Sequence, residues 1–230
     1  AWMARIGPLA RSKLTDRQFG TWEAMVAMVG GGLRASAMAK TLDALYASPR
    51  ARKLDYISCN IYEPFGAIKG ADLPGGVIQW WDYAADTEIY GTYTRAYHDG
   101  NPDLPVYMGE NGLMCRQPIG EKAEPRPDGW NRERYFKSYL MEMVKCMKEG
   151  VPIQGYLFWS ILDDFEWDAG YPPRCGLYNY DYQTHEISET DALGDPAGEI
   201  YAYLIRALRS GDKEVIAAAF TKRYGEGPSL

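Results

Sequence analysis

Basic clusters are missing from this sequence. Lys and Arg number 25 against 31 Asp and Glu, the formal net charge is −6, and no cationic run stands out. Nucleic-acid binding needs a clustered cationic footprint, so that class is set aside. No stretch approaches the about 18 apolar residues of a membrane span, and no signal peptide is visible. Histidine is nearly absent, with 2 residues. Neither His98 nor His185 sits in a catalytic pattern; both read as surface or helix-end residues, and no metal or other cofactor is expected. The four cysteines, Cys59, Cys115, Cys146 and Cys175, form no Cys-x-x-Cys pair. That disfavours zinc sites and disulfide scaffolds, and reduced thiols in a cytoplasmic protein are the expectation. Internal repeats and low-complexity linkers are absent too.

What is present is an ordinary globular balance, 46% hydrophobic and 24% charged over 230 residues. Aromatics reach 13%, with 7 Trp and 18 Tyr. Two readings stand: a Tyr-heavy core, or a surface that stacks sugar rings.

Residues 1–50 read as helical, being rich in Ala, Met, Leu and Arg. Thr15 and Asp16 could cap a helix running to about Val29, stopped by Gly30-Gly31-Gly32, with a second helix over 33–46. Ala1-Trp2-Met3 reads as the middle of a helix, which suggests a fragment or processed product. Strands are expected at 54–60, 104–108 and 153–159, the last nearly continuously apolar. Helices are expected at 83–98, at 131–149 and from Asp195-Pro196 to Ser210-Gly211. Asn131 is the N-cap of the middle one, Tyr135, Tyr139, Leu140, Met143, Val144 and Met147 form its apolar stripe, and Gly150 ends it. Residues 63–82, 113–128 and 160–175 read as loops, 176–190 as a short hairpin, and 212–230 as a short helix and a tail.

Strands alternating with helices, and lacking polar alternation, indicate an α/β fold with a parallel sheet buried on both faces. Three strands cannot close a barrel, and an eight-stranded βα barrel typically takes about 250 residues. The expectation is a single partial barrel domain over 1–230: a helical lead-in at 1–50, a strand-and-helix body at 54–210 and a tail at 212–230.

Each strand ends in polar or aromatic groups: Asn60-Ile61-Tyr62, Glu110-Asn111, and Trp159-Ser160 with Asp163-Asp164-Phe165-Glu166-Trp167 after it. In βα barrels such ends carry the active site. Carboxylates and amides bind sugar hydroxyls, and Trp faces pack on rings. In Pro105-Val106-Tyr107-Met108-Gly109-Glu110-Asn111-Gly112 an apolar run delivers one carboxylate to the rim, followed by an Asn-Gly turn. The plainer reading of Glu110 is a solvated turn residue, of Glu166 and Trp167 a loop surface, and of Tyr62 a core tyrosine.

Four motifs in order carry a resemblance: Asn60-Ile61-Tyr62, Gly109-Glu110-Asn111-Gly112, Trp159-Ser160-Ile161-Leu162-Asp163-Asp164-Phe165-Glu166-Trp167 and Gly170-Tyr171-Pro172-Pro173-Arg174-Cys175-Gly176-Leu177. Residues 54–210 resemble the C-terminal part of the glycoside hydrolase family 1 barrel, of the β-glucosidase type. The resemblance implies a TIM barrel of which this chain holds strands six to eight. It implies Glu110 as nucleophile of a retaining mechanism, through a covalent glycosyl-enzyme. It implies Tyr62 orienting Glu110 and keeping its pKa low, Asn60 lining the same subsite, Glu166 and Trp167 binding sugar hydroxyls, and Trp159 as the floor of the ring site.

Three departures are visible: Gly109 stands for the family's Thr or Val, Asp164 for Asn, and Cys175 for Phe. The larger departure is the Asn-Glu-Pro motif of the general acid/base, which occurs nowhere in the 230 residues. The expectation is a β-glycosidase acting on β-glucosides or related β-glycosides, its acid/base supplied by a part outside this chain. The partner would be a complementary N-terminal fragment, or a second copy by self-association. The alternative is a non-catalytic sugar-binding or self-assembling half-barrel.

Overall fold

The computed structural model of the protein describes residues 20–25, 55–62, 81, 84–100, 102–166 and 169–230. In chain order these form β1 (Gly20–Met25), β2 (Tyr56–Ile61), α1 (Thr87–Gly100), β3 (Val106–Glu110), β4 (Cys115–Arg116), α2 (Arg132–Lys148), β5 (Ile153–Tyr156), β6 (Pro173–Arg174), α3 (Ala197–Ser210) and α4 (Lys213–Thr221). They gather into two compact units.

One unit holds β1, β2, α1, β3 and β5 around a four-stranded sheet of order β1-β2-β3-β5, every pair parallel. The sequence leads one to expect three strands; the fourth is β1. Its segment lies within the helix expected from about residue 15 to 29, and that expectation is wrong. Ala24 and Met25 favour helix locally, but residues 20–25 pair with β2 in unbroken register, and a continuous ladder outweighs propensity terms of a few tenths of a kcal/mol per residue. The second expected helix, 33–46, and most of the loop at 63–82 lie outside the described residues. Burial of the central strands follows the expected pattern. Ile57, Cys59 and Ile61 are fully buried on one face of β2, and Ser58 and Asn60 are 4% exposed on the other.

Helix α1 buries Tyr90, Thr94 and Tyr97. The Thr94 hydroxyl donates back to Tyr90 O at 2.8 Å. Gly91 leaves room where a Cβ would strike the Glu142 carboxylate, which Arg95 holds at 2.9 Å.

Asn131 caps α2 as expected, its side chain accepting from Arg134 N at 3.0 Å. Gly150, at φ 102°, ends the helical segment. The buried stripe is Tyr135, Phe136, Tyr139, Leu140, Met143 and Cys146, whereas Met147 is 47% exposed. The expected stripe thus drifts off the core in the last turns, where Cys146 Sγ reaches Gly91 O at 3.9 Å.

The other unit holds β4, β6, α3 and α4. Here the loops expected at 113–128 and 160–175 each contribute a short strand, and β4 and β6 pair antiparallel. The fully buried Arg132 joins them. It donates to Asp191 Oδ2 at 2.6 Å and to Arg174 O at 2.8 Å. The hairpin expected at 176–190 closes through Tyr180 and Ile187. Helix α3 ends at Gly211 in the left-handed region, and Asp212 caps α4 through Glu214 N and Val215 N. No helix among the described residues is long and apolar enough to cross a membrane.

Candidate active site

Two sets of polar side chains occupy the strand ends and the loop after β5, one in each unit.

The first set belongs to the parallel sheet. Tyr62, just past β2, donates its hydroxyl to Glu110 Oε2 at 2.8 Å. A bulge makes this alignment possible: Cys59 pairs with Met108 and Asn60 with Glu110, so Gly109 is skipped. Bulges beside active sites re-aim a side chain, and glycine is a usual marker of one. The departure at Gly109 therefore sits where the ladder shifts. Asn60 is buried, and its Oδ1 has no hydrogen-bond partner among the described residues.

The sequence pattern assigns Asn111 no site role of its own, yet Asn111 organises this set. Fully buried, it donates from Nδ2 to Ile61 O at 2.7 Å and accepts at Oδ1 from the Tyr156 hydroxyl at 2.7 Å. It ties the ends of β2, β3 and β5 together. The only sequence signal was its place beside the acid at the end of an apolar run.

The second set lies in residues 159–176. Trp159 Nε1 donates to Glu166 Oε1 at 3.0 Å, and Glu166 is 5% exposed. Glu166 and Gly170 exchange backbone hydrogen bonds of 2.9 Å, closing a tight loop, with Gly170 at φ 71°. Trp167 lies outside the described residues. Asp163, also missed from the sequence as a working residue, accepts from Gly176 N at 2.9 Å and Tyr180 N at 3.1 Å, with the Arg174 guanidinium 3.6 Å away. Burial pushes its pKa up, and the two backbone donors and the arginines oppose that shift. The available signal was one acid directly after the apolar pair Ile161-Leu162.

Glycine spacing explains two motif positions. A Cβ on Gly112 would lie 2.3 Å from Trp159 O, and one on Gly176 would lie 2.5 Å from Asp163 N. Gly112 is absent from the residues of positive φ. Close approach, not the Asn-Gly turn expected from the sequence, accounts for it.

Two departures from the family motif touch one another. The fully buried Cys175 donates from Sγ towards Asp164 Oδ1 at 3.5 Å, and lies 3.3 Å from Ser160 Oγ and 3.9 Å from Glu166 Oε1. Burial first, then the neighbouring carboxylates, pushes the thiol well above its usual range, so it stays protonated and donates. Asp164, Glu166 and Cys175 each offer one atom within 4.8 Å of the others, the one group among the described residues with the spacing of metal ligands. All four cysteines are buried thiols outside any disulfide. His98 lies in the last turn of α1, and His185, at φ 61°, meets the Tyr180 hydroxyl at 2.7 Å.

The sequence profile of Glycosyl hydrolase family 1 matches residues 68–192. The chain is 32% identical over 145 residues to Beta-glucosidase A of Thermotoga maritima, covering 58% of this chain and 31% of that protein. It is 32% identical over 119 residues to the Bifunctional beta-D-glucosidase/beta-D-fucosidase of Bifidobacterium breve, covering 49% and 25%. The solved family 1 b-glucosidase of Thermotoga maritima superposes with a TM-score of 0.65 at 20% identity, over 88% of this chain and 53% of that one. The chain thus spans about a third of the length of the first of these curated relatives and about half of that solved barrel. The fold is part of that architecture, with four parallel strands among the described residues where the barrel is closed by eight. With the profile matching more than half of its residues, this chain belongs to glycosyl hydrolase family 1.

Proposed function

We propose that this chain carries the nucleophile portion of a retaining β-glycosidase acting on β-glucosides or related β-glycosides. The observation that carries the reading is the Tyr62 hydroxyl on Glu110 Oε2. A carboxylate with one oxygen held by a donor keeps the other oriented for attack. Glu110 would attack the anomeric carbon, the glycosidic bond would break, and the aglycone oxygen would take a proton as it leaves. Water would then release the sugar from the glycosyl-enzyme. Asn60 would accept from a hydroxyl of the same ring. Glu166, fixed by Trp159, would accept from sugar hydroxyls, and Trp159 and Trp167 would contribute ring surface.

The proton donor is the missing piece. A retaining pair needs a second carboxyl about 5–5.5 Å from the first, and the Asn-Glu-Pro that holds it in the family does not occur in these 230 residues. In this reading a complementary segment or chain supplies it. The test is hydrolysis of an activated aryl β-glucoside by the chain alone and with a complementary N-terminal family 1 fragment. Turnover that needs both partners and vanishes in Glu110→Gln supports the reading; turnover that survives Glu110→Gln overturns it.

One observation favours the second reading, a self-associating, sugar-binding half-barrel. Among the described residues β1 and β5 each pair on one side only, and open edges favour association. A stable homo-oligomer that binds sugar and gives no turnover with any added fragment would support it.

A further inference from the structure

The ladders of the parallel sheet stop short of Tyr62. Met25 of β1 pairs with Ile61 and Asn60 pairs with Glu110 of β3, while Tyr62 pairs with neither strand. Its hydroxyl nevertheless meets Glu110 Oε2 at 2.8 Å. A side chain does what the ladder does not. Asn111 donates from Nδ2 to Ile61 O at 2.7 Å, and that carbonyl belongs to the same planar peptide unit as Tyr62 N. Asn111 in turn follows Glu110 directly. The contacts therefore close a ring: Glu110 to Asn111 along the chain, Asn111 to the Ile61–Tyr62 peptide, and Tyr62 back to the Glu110 carboxylate.

That ring is held from a third strand by Tyr156 of β5. Asn111 is fully buried, and its amide has one favourable orientation, because an oxygen turned towards Ile61 O would repel it. Its Oδ1 is left facing the Tyr156 hydroxyl, which donates to it at 2.7 Å. The backbone of Tyr156 is itself set by the sheet: it pairs with Met108 of β3, and Leu157 N donates to Met108 O at 2.9 Å. Just before it, Gly155 stands opposite Tyr107, where a Cβ would lie 2.8 Å from the ring. A paired strand thus fixes a phenol, the phenol fixes an amide, and the amide fixes the peptide that carries Tyr62. Support of this kind keeps a reacting group within its productive geometry. We propose that Tyr156 is a positioning residue for the nucleophile: acting through Asn111, it sets the contact between Tyr62 and Glu110. This rests on Glu110 acting as the nucleophile of the retaining reaction.

Two measurements on Tyr156→Phe test it, and one of them needs no activity. The substitution removes one oxygen and keeps the ring. In the full chain carrying ¹³C at the tyrosine Cζ, Tyr62→Phe identifies the Tyr62 signal, and Glu110→Gln shows how that signal moves when the carboxylate is lost. Tyr156→Phe is expected to move it in the same direction; a Tyr62 signal unchanged from the wild type overturns the proposal. In the complemented enzyme, glycosyl transfer from an activated aryl β-glucoside should slow about 2- to 10-fold, the worth of one hydrogen bond, with KM unchanged. Residues that act through one contact are not additive, so Tyr156→Phe should slow Tyr62→Phe no further. Losses that multiply would show that Tyr156 only supports the strand end, and would overturn the proposal. No turnover in the complemented wild type, or turnover that survives Glu110→Gln, defeats the proposed function, and the Tyr62 signal then decides the role of Tyr156 by itself.

Discussion

At the scale of single residues, the contact between Tyr62 and Glu110 makes the sharpest demand. A hydrogen bond to a charged group contributes about 1.5–3 kcal/mol. Tyr62→Phe in the complemented enzyme should therefore slow glycosyl transfer about 10- to 150-fold, and pre-steady-state kinetics with an aryl glucoside would read the step directly. An unchanged rate would remove Tyr62 from the positioning of Glu110. The Asp181 carboxyl sets a different expectation. Donation from the backbone of Gln183 and Thr184 lowers its pKa below the ordinary 3.8. A depressed folded-state pKa means a contribution present above 3.8 and lost as pH falls through the lower folded value. The Gln183 and Thr184 amide resonances should therefore titrate with a midpoint below 3.8; a midpoint at or above it would show that the hairpin tip is not held this way.

At the scale of elements, Asn111 and Arg132 are the joints. Asn111→Ala leaves the buried Ile61 carbonyl without the Asn111 amide. An unmatched buried group costs about 1–3 kcal/mol, so chemical denaturation should show a loss in that range. Arg132→Ala leaves the buried Asp191 carboxylate uncompensated, at a cost of about 3–5 kcal/mol. Arg132→Met should cost less than Arg132→Ala, because it refills the volume the guanidinium stem occupied. Equal losses in the two variants would show that packing contributes nothing there. Local signals read the helix ends correctly at Asn131, Gly150 and Gly211, because a cap is decided by residues within about four positions of one another. The apolar spacing of α2 marks Tyr135, Tyr139, Leu140 and Met143 but not the buried Phe136 or Cys146, and the partner of Cys146, Gly91, lies 55 residues away.

At the scale of the whole molecule, the missing general acid dominates. General acid–base catalysis typically contributes about 10²–10⁴-fold. The chain alone should hydrolyse unactivated β-glucosides slower than its complemented form by a factor in that range, with a smaller deficit for aryl glucosides whose leaving groups need no proton. Full activity of the verified 230-residue chain would refute this. The thiols give an independent check on the interior. With Cys59, Cys115, Cys146 and Cys175 all buried thiols outside any disulfide, a disulfide-exchange reagent should titrate none rapidly in the native protein and all four in denaturant.

Residues close in sequence settled the family and much of the element order. Four motifs in the right succession, an acid at the end of an apolar run and glycines past helix ends are all visible before folding. Tertiary structure decided the rest. It made a strand of Gly20–Met25, because a partner strand outweighed weak local preferences for helix. It turned Gly109 into a bulge that pairs Asn60 with Glu110, and gave Gly112 and Gly176 the task of leaving space. It joined Tyr62 to Glu110 across 48 positions and Cys175 to Asp164 across 11. The physical reason is range: caps and turns satisfy backbone groups a few residues away, whereas ladders, close approaches and the pairing of buried polar groups are met by whichever distant segment the fold brings near.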